Sequence, residues 1–313
     1  MTEPGKAKRP ARGWPIAVLA VLAAVLMAGH KYVPNSPGNM GSFLETFLPW
    51  LGLSVPVLLI AAGLWRSPIG AVAAGLAAIV WLGTFGQLLL PGKGGGEHNL
   101  RVLSHNVDAS NQDPEGTARK LLEAGADLVA LQELSNEHRS RYSNLLNERY
   151  PHVVSRGTVA LWSKHPFASS SSVDIGMGWT RALRAVVQAP GGAVAVYVAH
   201  LASVRVDADG FSSDERNSTI SELGTQISQD KQQRILLLGD LNGTAYDRGL
   251  APLTFGLESA QASAGFGFGF TWPAAFPMAR IDHVLTRGVT VTDSRVLSRT
   301  GSDHLPVAAD LRL

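Results

Sequence analysis

The longest apolar runs of the chain lie in its first 92 residues. They cover residues 14–29, 46–65 and 68–90, and none of them contains a charged residue. About 20 apolar residues are needed to cross the hydrocarbon layer of a bilayer, so the pattern predicts three transmembrane helices. The first run alone would also suit a secretory signal peptide. Two further runs follow it without a convincing small-x-small cleavage motif, which favours a membrane span.

Positive charges that flank the apolar runs predict their orientation. Four basic residues lie in the tail 1–13, and Arg66 lies in the short turn between the second and third runs. The loop 30–45 carries one lysine and one glutamate. Because Lys and Arg are enriched in cytoplasmic loops, the tail and the Arg66 turn are expected in the cytoplasm. Three crossings then place everything after residue 90 outside it, which predicts a multi-pass cell-membrane protein with an extracytoplasmic domain.

Beyond a flexible glycine-rich linker at 91–98, short apolar runs alternate with amphipathic stretches. Strands are predicted at 99–107, 127–134, 158–164, 182–189, 193–201, 235–242, 279–287 and 305–313. Helices are predicted at 114–126, 136–150 and 214–229. This mixture over residues 99–313 predicts one domain of the α/β (α+β) class.

The run ILLLGDLN, residues 235–242, is the most informative of these strands. Four aliphatic residues indicate a strand buried on both faces, and the run then ends at Gly239, followed by Asp240 and Asn242. Residues two apart at the end of a strand point to the same side. An acid and an amide are therefore expected side by side at the edge of a sheet. An Asx-rich turn that only ends the strand explains the same residues equally well.

Other predicted strands also end in, or are preceded by, polar side chains that bind metals or transfer protons. These side chains are Asn106, Glu133, His200, Asp282, His283, Ser302, Asp303 and His304. Taken alone, Glu133 suits a helix cap, His200 a buried hydrogen-bonded histidine, and Asp303 a turn. Their joint occurrence at strand ends predicts a functional site, because α/β layers build their sites at that edge.

The chemical types of these side chains narrow the reaction. Carboxylates and carboxamides are hard oxygen ligands, which favour Mg²⁺ or Mn²⁺ over zinc, and histidines beside them supply proton transfer or phosphate contacts. The combination predicts hydrolysis of a phosphoryl–oxygen bond with water as the nucleophile. The chain has no cysteine, which excludes disulfides, thiolate metal sites and a cysteine nucleophile.

The balance of basic and acidic residues after residue 92 indicates which class of partner the domain suits. The first 92 residues hold six Lys or Arg and two Asp or Glu, so the remainder holds 21 basic and 23 acidic residues. Proteins that bind nucleic-acid phosphates usually carry a basic surplus. A nucleic-acid partner is therefore not favoured, and no obligate protein partner is inferred.

The ordered motifs HNV, LQEL, GTVALWSKHP, VAHL, GDLN, RIDHVL and SDHLPV, within residues 98–313, carry a resemblance. As a set they resemble the endonuclease/exonuclease/phosphatase superfamily, which includes DNase I-like nucleases. The departures are Leu241 in place of the commoner Phe and Trp162 in place of a small aliphatic residue. The resemblance implies a four-layer α/β/β/α sandwich of DNase I type, with the site at one end of two packed sheets.

The resemblance also implies roles for the acidic and amide residues. Glu133 would bind the divalent metal, helped by Asn106 and Asp303. Asp240 would orient or deprotonate the attacking water, and Asn242 would hold this water and the phosphate. The cofactor implied is Mg²⁺ or Mn²⁺.

For the remaining residues, the resemblance implies contacts with the substrate. His304 would contact the scissile phosphate and stabilise the charge of the transition state, and Asp282 would fix the tautomer of His304. His200 would be a second phosphate donor or acid, although no carboxylate partner for it is evident. Arg181 and Arg184 are candidate phosphate ligands, and Arg181 is favoured.

The substrate class is suggested by the tether and by an aromatic loop. The loop 265–278 spaces four phenylalanines and one tryptophan with glycines, a pattern that suits insertion among lipid headgroups or simple packing on the sheet. Together with the three predicted spans, this loop predicts a lipid phosphate or pyrophosphate as the substrate. The architecture also resembles three-span actinobacterial members described as teicoplanin-resistance proteins, which implies undecaprenyl pyrophosphate. The alternatives are a membrane-anchored extracellular nuclease and a catalytically inactive binding module.

Overall fold

The computed structural model describes residues 13–208 and 210–313. Apart from Gly13, the predicted basic tail therefore lies outside the described residues. The chain forms two compact units: one continues to Pro34 and includes Phe47–Gln87, and the other comprises Asn35–Thr46 and Leu88–Leu313. The segment Asn35–Thr46 thus belongs to the second unit, although it lies in sequence between two hydrophobic helices.

The first unit is built from apolar helices. These are α1 (Trp14–Ala28), α3 (Ser54–Leu64) and α4 (Pro68–Phe85), with 3-10 turns at His30–Tyr32, Leu48–Leu53 and Gly86–Leu89. Helices α1 and α4 pack closely because small residues line α4, and Gly70 faces Ile16. The other faces of these helices expose large apolar side chains, among them Leu19, Leu22, Val25, Ile60, Leu64, Val72 and Ile79.

The prediction of three transmembrane helices is not confirmed. Among the described residues, one helix, Pro68–Leu89, has the length and apolar composition of a span. Helix α1 has 15 residues, which at about 1.5 Å per residue falls short of the roughly 30 Å of bilayer hydrocarbon. The predicted run 46–65 forms the helical stretch Leu48–Leu64, which a break at residue 47 separates from Met40–Thr46 (α2). Pro49 lies in the first turn after this break, where proline is tolerated but cannot continue a preceding helix.

The second unit contains two six-stranded sheets. In spatial order the first is β13 (Thr290–Val296), β14 (Val307–Arg312), β1 (Leu100–Asn106), β2 (Leu128–Gln132), β4 (Val159–Ser163) and β3 (His152–Arg156). The second is β11 (Glu258–Ser259), β12 (Asp282–Arg287), β10 (Ile235–Asp240), β7 (Gly192–His200), β6 (Ala182–Ala189) and β5 (Phe167–Ser172). A short hairpin joins β8 (Val206–Asp207) and β9 (Gly210–Phe211). The helices are α2 (Met40–Thr46), α5 (Pro114–Glu123), α6 (Arg139–Leu146), α7 (Asp214–Ser228), α8 (Ala251–Thr254) and α9 (Ala260–Ala264), with a 3-10 turn at Arg248–Leu250.

Successive side chains of the central strands point to opposite faces of each sheet, and this alternation produces the layers of the fold. On β1, Val102 faces the core between the two sheets, and Leu103 faces the core that includes residues of α5 and α6. On β10, Leu236 lies in the central core and Leu237 packs towards α7 and α8. Because both faces of these strands are covered, both alternating sets of residues are apolar. The α/β two-sheet fold expected from the sequence is confirmed.

Several elements escaped the sequence pattern. Strand β5 reads FASSSS and carries no apolar alternation, because it lies at the edge of its sheet. Edge strands β3 and β13 were also not predicted. Helix α6 covers Arg139–Leu146 rather than 136–150, and the segment 91–98, predicted as a flexible linker, donates a hydrogen bond from Gly95 N to Thr292 O at 2.7 Å.

Candidate active site

Strand register brings the predicted residues to one edge of the sandwich. Strands β1 and β2 are parallel and pair Asn106 with Gln132, so Glu133 follows directly beside Asn106. In the other sheet, Asp240 pairs with His200 on one side and with Asp282 on the other. Strand β14 begins opposite Ser104, which places Asp303 and His304 just before the strand at the same edge.

An amide lies between two carboxylates at the centre of this edge. Asn106 Nδ2 donates to Glu133 Oε1 at 3.0 Å and to Asp240 Oδ2 at 2.9 Å. Glu133 has a left-handed backbone (φ 56°), which directs its side chain towards the amide, and it is partly exposed. Burial raises the pKa of Asp240 to about 7, although the neighbouring His304 lowers it. Asp240 thus has the proton affinity of a general base that works near neutral pH.

The donor set suits a divalent cation. Glu133, His200 and Asp240 offer ligand atoms within 4.8 Å of one another, as do Asp240, Asp282 and His304. Two carboxylates that contact the same amide nitrogen in a largely buried place favour a neighbouring positive charge. Carboxylate oxygens predominate in these groups, as hard cations require.

His200 has neighbours that the sequence did not identify. Its Nε2 lies 3.5 Å from Glu133 Oε1 and 3.7 Å from Asp240 Oδ2. Arg181 Nη2 lies 2.6 Å from the ring nitrogens of His200. Burial and the charge of Arg181 hold the pKa of His200 well below its usual value. The His200 ring is therefore neutral, and the positive charge beside it is that of the Arg181 guanidinium.

Arg181 also faces a cavity. The guanidinium is nearly buried (6% exposed), and its Nε has no hydrogen-bond partner among the described residues. The cavity is lined by Arg181, Met177, Arg205, Phe211 and, from the segment Asn35–Thr46, by Gly38 and Asn39. Arg184, the other candidate, instead binds Asp230 through Nε at 2.6 Å, so it has a structural partner away from this edge.

His304 and Asp282 form a buried pair. His304 Nδ1 lies 2.8 Å from Asp282 Oδ2, and His304 Nε2 points towards Asp240 Oδ2 at 3.8 Å. Burial lowers the pKa of His304, but the charges of Asp282 and Asp240 outweigh it and raise the pKa to about 10. The same pairing holds the pKa of Asp282 below its usual value despite burial. His304 is therefore an imidazolium whose Nε2–H is directed towards the cluster.

Asp303 lies at the margin of the site. Its carboxylate is 56% exposed and 3.9 Å from His304 Nε2, and it accepts a hydrogen bond from Trp272 Nε1 at 3.2 Å. Within the described part of the chain, Asp303 belongs to neither group of possible metal ligands, whereas Asn106 and Glu133 are in contact. The structure thus brings Asp303 near the histidine rather than into the acidic cluster.

Asn242 occupies the turn after β10. Its backbone is left-handed (φ 48°), its N–H donates to Asp240 Oδ1 at 2.9 Å, and its Nδ2 donates to Leu201 O at 3.0 Å. Arg216 of α7 donates from Nη1 to the carbonyl oxygen of Asn242 at 2.9 Å. Arg216 was not predicted from the sequence, because an arginine inside an amphipathic helix carries no signal of burial. Ser302, one of the polar residues expected before the last strand, donates from its hydroxyl to Asn106 O and accepts from His304 N.

Comparison with known proteins agrees with this architecture. A family model described as "Endonuclease/Exonuclease/phosphatase family" matches residues 103–304. No curated protein matches the chain.

Solved structures share the fold at low identity. Truncated TDP2 from Caenorhabditis elegans has a TM-score of 0.59 and 18% identity, covering 68% of this chain and 97% of that one. D. rerio TDP2 complexed with a single-strand DNA product has a TM-score of 0.58 and 19% identity, covering 68% and 99%. An endonuclease/exonuclease/phosphatase family protein from Bacteroides thetaiotaomicron has a TM-score of 0.57 and 15% identity, covering 68% and 94%.

The family match extends from β1 to His304 and so includes every strand of the two sheets except β14, together with the strand ends that carry the acidic and histidine cluster. The chain therefore belongs to the endonuclease/exonuclease/phosphatase family of hydrolytic phosphoesterases.

Proposed function

We propose that the protein is a divalent-metal-dependent phosphoesterase, with Mg²⁺ or Mn²⁺ as the metal. The observation that carries this proposal is the cluster at the sheet edge. There Asn106 contacts both Glu133 and Asp240, and a buried His304–Asp282 pair faces the same carboxylate. Together these groups offer hard ligands, a base and a cation within one small volume.

Each side chain has a chemical task in the proposed reaction. Glu133 and Asn106 would hold the metal, which when bound polarises a phosphoryl oxygen as a Lewis acid. Asp240 would accept a proton from the attacking water, since burial raises its pKa to about 7. The imidazolium of His304 would stabilise the negative charge that develops on the phosphoryl oxygens, and Asp282 would keep it protonated on Nδ1. Arg181 would bind a phosphate oxygen.

The substrate we propose is a lipid-linked phosphate or pyrophosphate, with the catalytic domain on the outer side of the membrane. The support comes from the aromatic loop 265–278. At one end, Gly267 N donates to Leu88 O at 2.7 Å, directly at the end of the apolar helix Pro68–Leu89. At the other, Trp272 contacts Asp303. The loop also exposes Phe266 and Phe276, at 67% and 64%, as expected of side chains that enter an interface.

A nuclease is the second candidate. It is favoured by the structural similarity to D. rerio TDP2, which was solved with a single-strand DNA product. Against it stand 23 acidic and 21 basic residues after residue 92, since non-specific binding to DNA depends on basic contacts with phosphates.

The test is a paired assay on the purified full-length protein with Mg²⁺. Phosphate release from undecaprenyl pyrophosphate in detergent is measured beside nicking of plasmid DNA, with Glu133→Ala and Asp240→Ala as blanks. We expect phosphate release from the lipid, its loss in both variants, and no nicking. Nicking without lipid turnover would replace the lipid substrate by DNA, and its rate should then fall steeply with salt. Activity that survives in both variants would refute the assigned site.

A further inference from the structure

The segment Asn35–Thr46 is joined closely to the catalytic unit, although it lies far outside the family-matched residues 103–304. Phe211 N donates to Gly38 O at 2.9 Å, and the rings of Phe43 and Phe211 meet edge-on with centroids 5.7 Å apart. Asn39 Nδ2 donates to Asp214 Oδ1 at 3.1 Å. These contacts place the segment beside α7 and along the cavity that opens at Arg181.

Glu45 makes the strongest of these contacts. Its carboxylate is fully buried and accepts three hydrogen bonds from Arg248, from the backbone N, Nε and Nη2, each at 2.9 Å. Bidentate pairing between arginine and carboxylate fixes direction as well as distance. A buried carboxylate held in this way determines where Arg248 and the adjoining turn can lie.

The residue before Arg248 continues the network to the catalytic edge. Asp247 Oδ2 pairs with Arg216 Nη2 at 2.6 Å, and both side chains are fully buried. Arg216 Nη1 then donates to Asn242 O at 2.9 Å. Gly243 is needed beside it, because a Cβ at that position would overlap the same guanidinium. Asn242 in turn donates its backbone N–H to Asp240 Oδ1.

We propose that Glu45 and Arg216 are positioning residues for the active site, acting through the turn that carries Asn242. Glu45 fixes Arg248, the neighbouring Asp247 fixes Arg216, and Arg216 holds the carbonyl oxygen of Asn242 in a left-handed turn. The orientation of Asp240 towards water and phosphate thus depends on a segment between two hydrophobic helices. This inference rests on the proposed phosphoesterase function, because its effect on catalysis is measured as turnover.

The test compares Glu45→Gln with Asp310→Asn in the full chain. Asp310 is an equally suitable buried carboxylate, bound by Arg101 through Nε at 2.6 Å and Nη2 at 2.8 Å. It pairs with β1 five residues before Asn106, about 16 Å from the site at roughly 3.3 Å per residue. Both variants lose a charge from a buried pair, so a general loss of stability affects them alike.

Two readouts separate positioning from stability. With bis(4-nitrophenyl) phosphate and Mg²⁺, we expect kcat of Glu45→Gln to fall about tenfold, as small misplacements of catalytic groups do, with KM and the Asp310→Asn variant near wild type. Hydrogen exchange of the peptide 240–244 should accelerate in Glu45→Gln and stay unchanged in Asp310→Asn. Arg216→Lys keeps the charge but loses the planar guanidinium. It should likewise lower kcat and accelerate exchange of the peptide 240–244, and it replaces Glu45→Gln in the test if that variant does not fold.

A double-mutant cycle with Arg216→Lys decides the route. If Glu45 acts through Arg216 and the main chain of Asn242, its substitution lowers kcat much less in the Arg216→Lys background. The proposal is overturned if Glu45→Gln still lowers kcat tenfold in that background. It is also overturned if hydrogen exchange and kcat in Glu45→Gln match those in Asp310→Asn. If the wild type hydrolyses no phosphoester, the proposed function fails, while the exchange readout still decides whether Glu45 orders the turn.

Discussion

The pair of His304 and Asp282 allows a quantitative prediction. Asp282→Asn keeps the size of the side chain but removes the charge that lies 2.8 Å from His304 Nδ1. A hydrogen bond to a charged group contributes about 1.5–3 kcal/mol, and about 1.4 kcal/mol corresponds to a tenfold change in rate. We therefore expect kcat to fall about 10- to 150-fold. Asp282 Oδ1 has no hydrogen-bond partner among the described residues, so an amide NH₂ there would add an unsatisfied donor.

The assay combines kinetics with titration of the histidine. Hydrolysis of bis(4-nitrophenyl) phosphate gives kcat, and NMR of the His304 ring gives its pKa. In the wild type we expect a pKa of about 10, because the charges of Asp282 and Asp240 outweigh the effect of burial. In Asp282→Asn it should fall, because burial remains while the main charge that raises it is gone. Asp310→Asn, on β14 opposite Arg101 and therefore away from the site, should change neither quantity. A kcat within twofold of wild type, or an unchanged His304 pKa, would refute the role given to Asp282.

The remaining predictions concern the metal, the core, acid stability and the aromatic loop. Saturating Mg²⁺ should raise the Tm of the wild type, because a ligand that binds only the folded state stabilises it. It should not raise the Tm of Glu133→Gln. An equal rise of Tm in the two proteins would place the metal away from Glu133. Gly239→Ala should destabilise the protein by about 3 kcal/mol or more, since its Cβ would overlap Ala199 O. Gly256→Ala should be nearly neutral, because a Cβ there meets no atom of the described residues within 4 Å; denaturant unfolding measures both. Burial raises the pKa of Asp230, but Arg184 and other partners outweigh it and lower the pKa to about 2. The resulting stabilisation is complete above the ordinary pKa near 4 and is lost as pH falls towards 2, so Asp230→Asn should remove this part of the acid dependence of unfolding. Phe276→Ser should raise KM for undecaprenyl pyrophosphate without changing turnover of bis(4-nitrophenyl) phosphate. The control is Phe255→Ser, because Phe255 lies outside the loop and is even more exposed, at 99% against 64% for Phe276. Equal KM values in the two variants would count against lipid contact.

The central strands and the ends of those strands could be predicted from the sequence. Ile235–Leu238 is apolar at every position because both faces of β10 are covered, and that pattern also fixes where Asp240 emerges. Edge strands could not be predicted in the same way. β5 is held by pairing with β6, and its serines are largely exposed. The hydrophobic pattern therefore does not indicate a strand at these residues.

Partnerships across long stretches of sequence were also beyond prediction. The neighbours of His200 lie just after β2, just before β6 and at the end of β10, and only the fold brings these three places together. Glu45 and Arg248 are 203 residues apart. The helix break at Phe47 depends on local geometry around Pro49, whereas a sum of hydrophobicity over 46–65 does not detect it.

The position of β14 has a consequence for the order of folding during synthesis. This strand lies between β13 and β1, and it pairs Leu311 with Leu100 across about two hundred residues of chain. The first sheet therefore keeps an open, apolar edge along β1 until residues 307–312 have left the ribosome. Contacts of such sequence separation close late and slowly, so the nascent domain needs protection from aggregation for most of its synthesis. A stalled or prematurely ended chain would expose the very strand whose last residue, Asn106, lies at the catalytic edge.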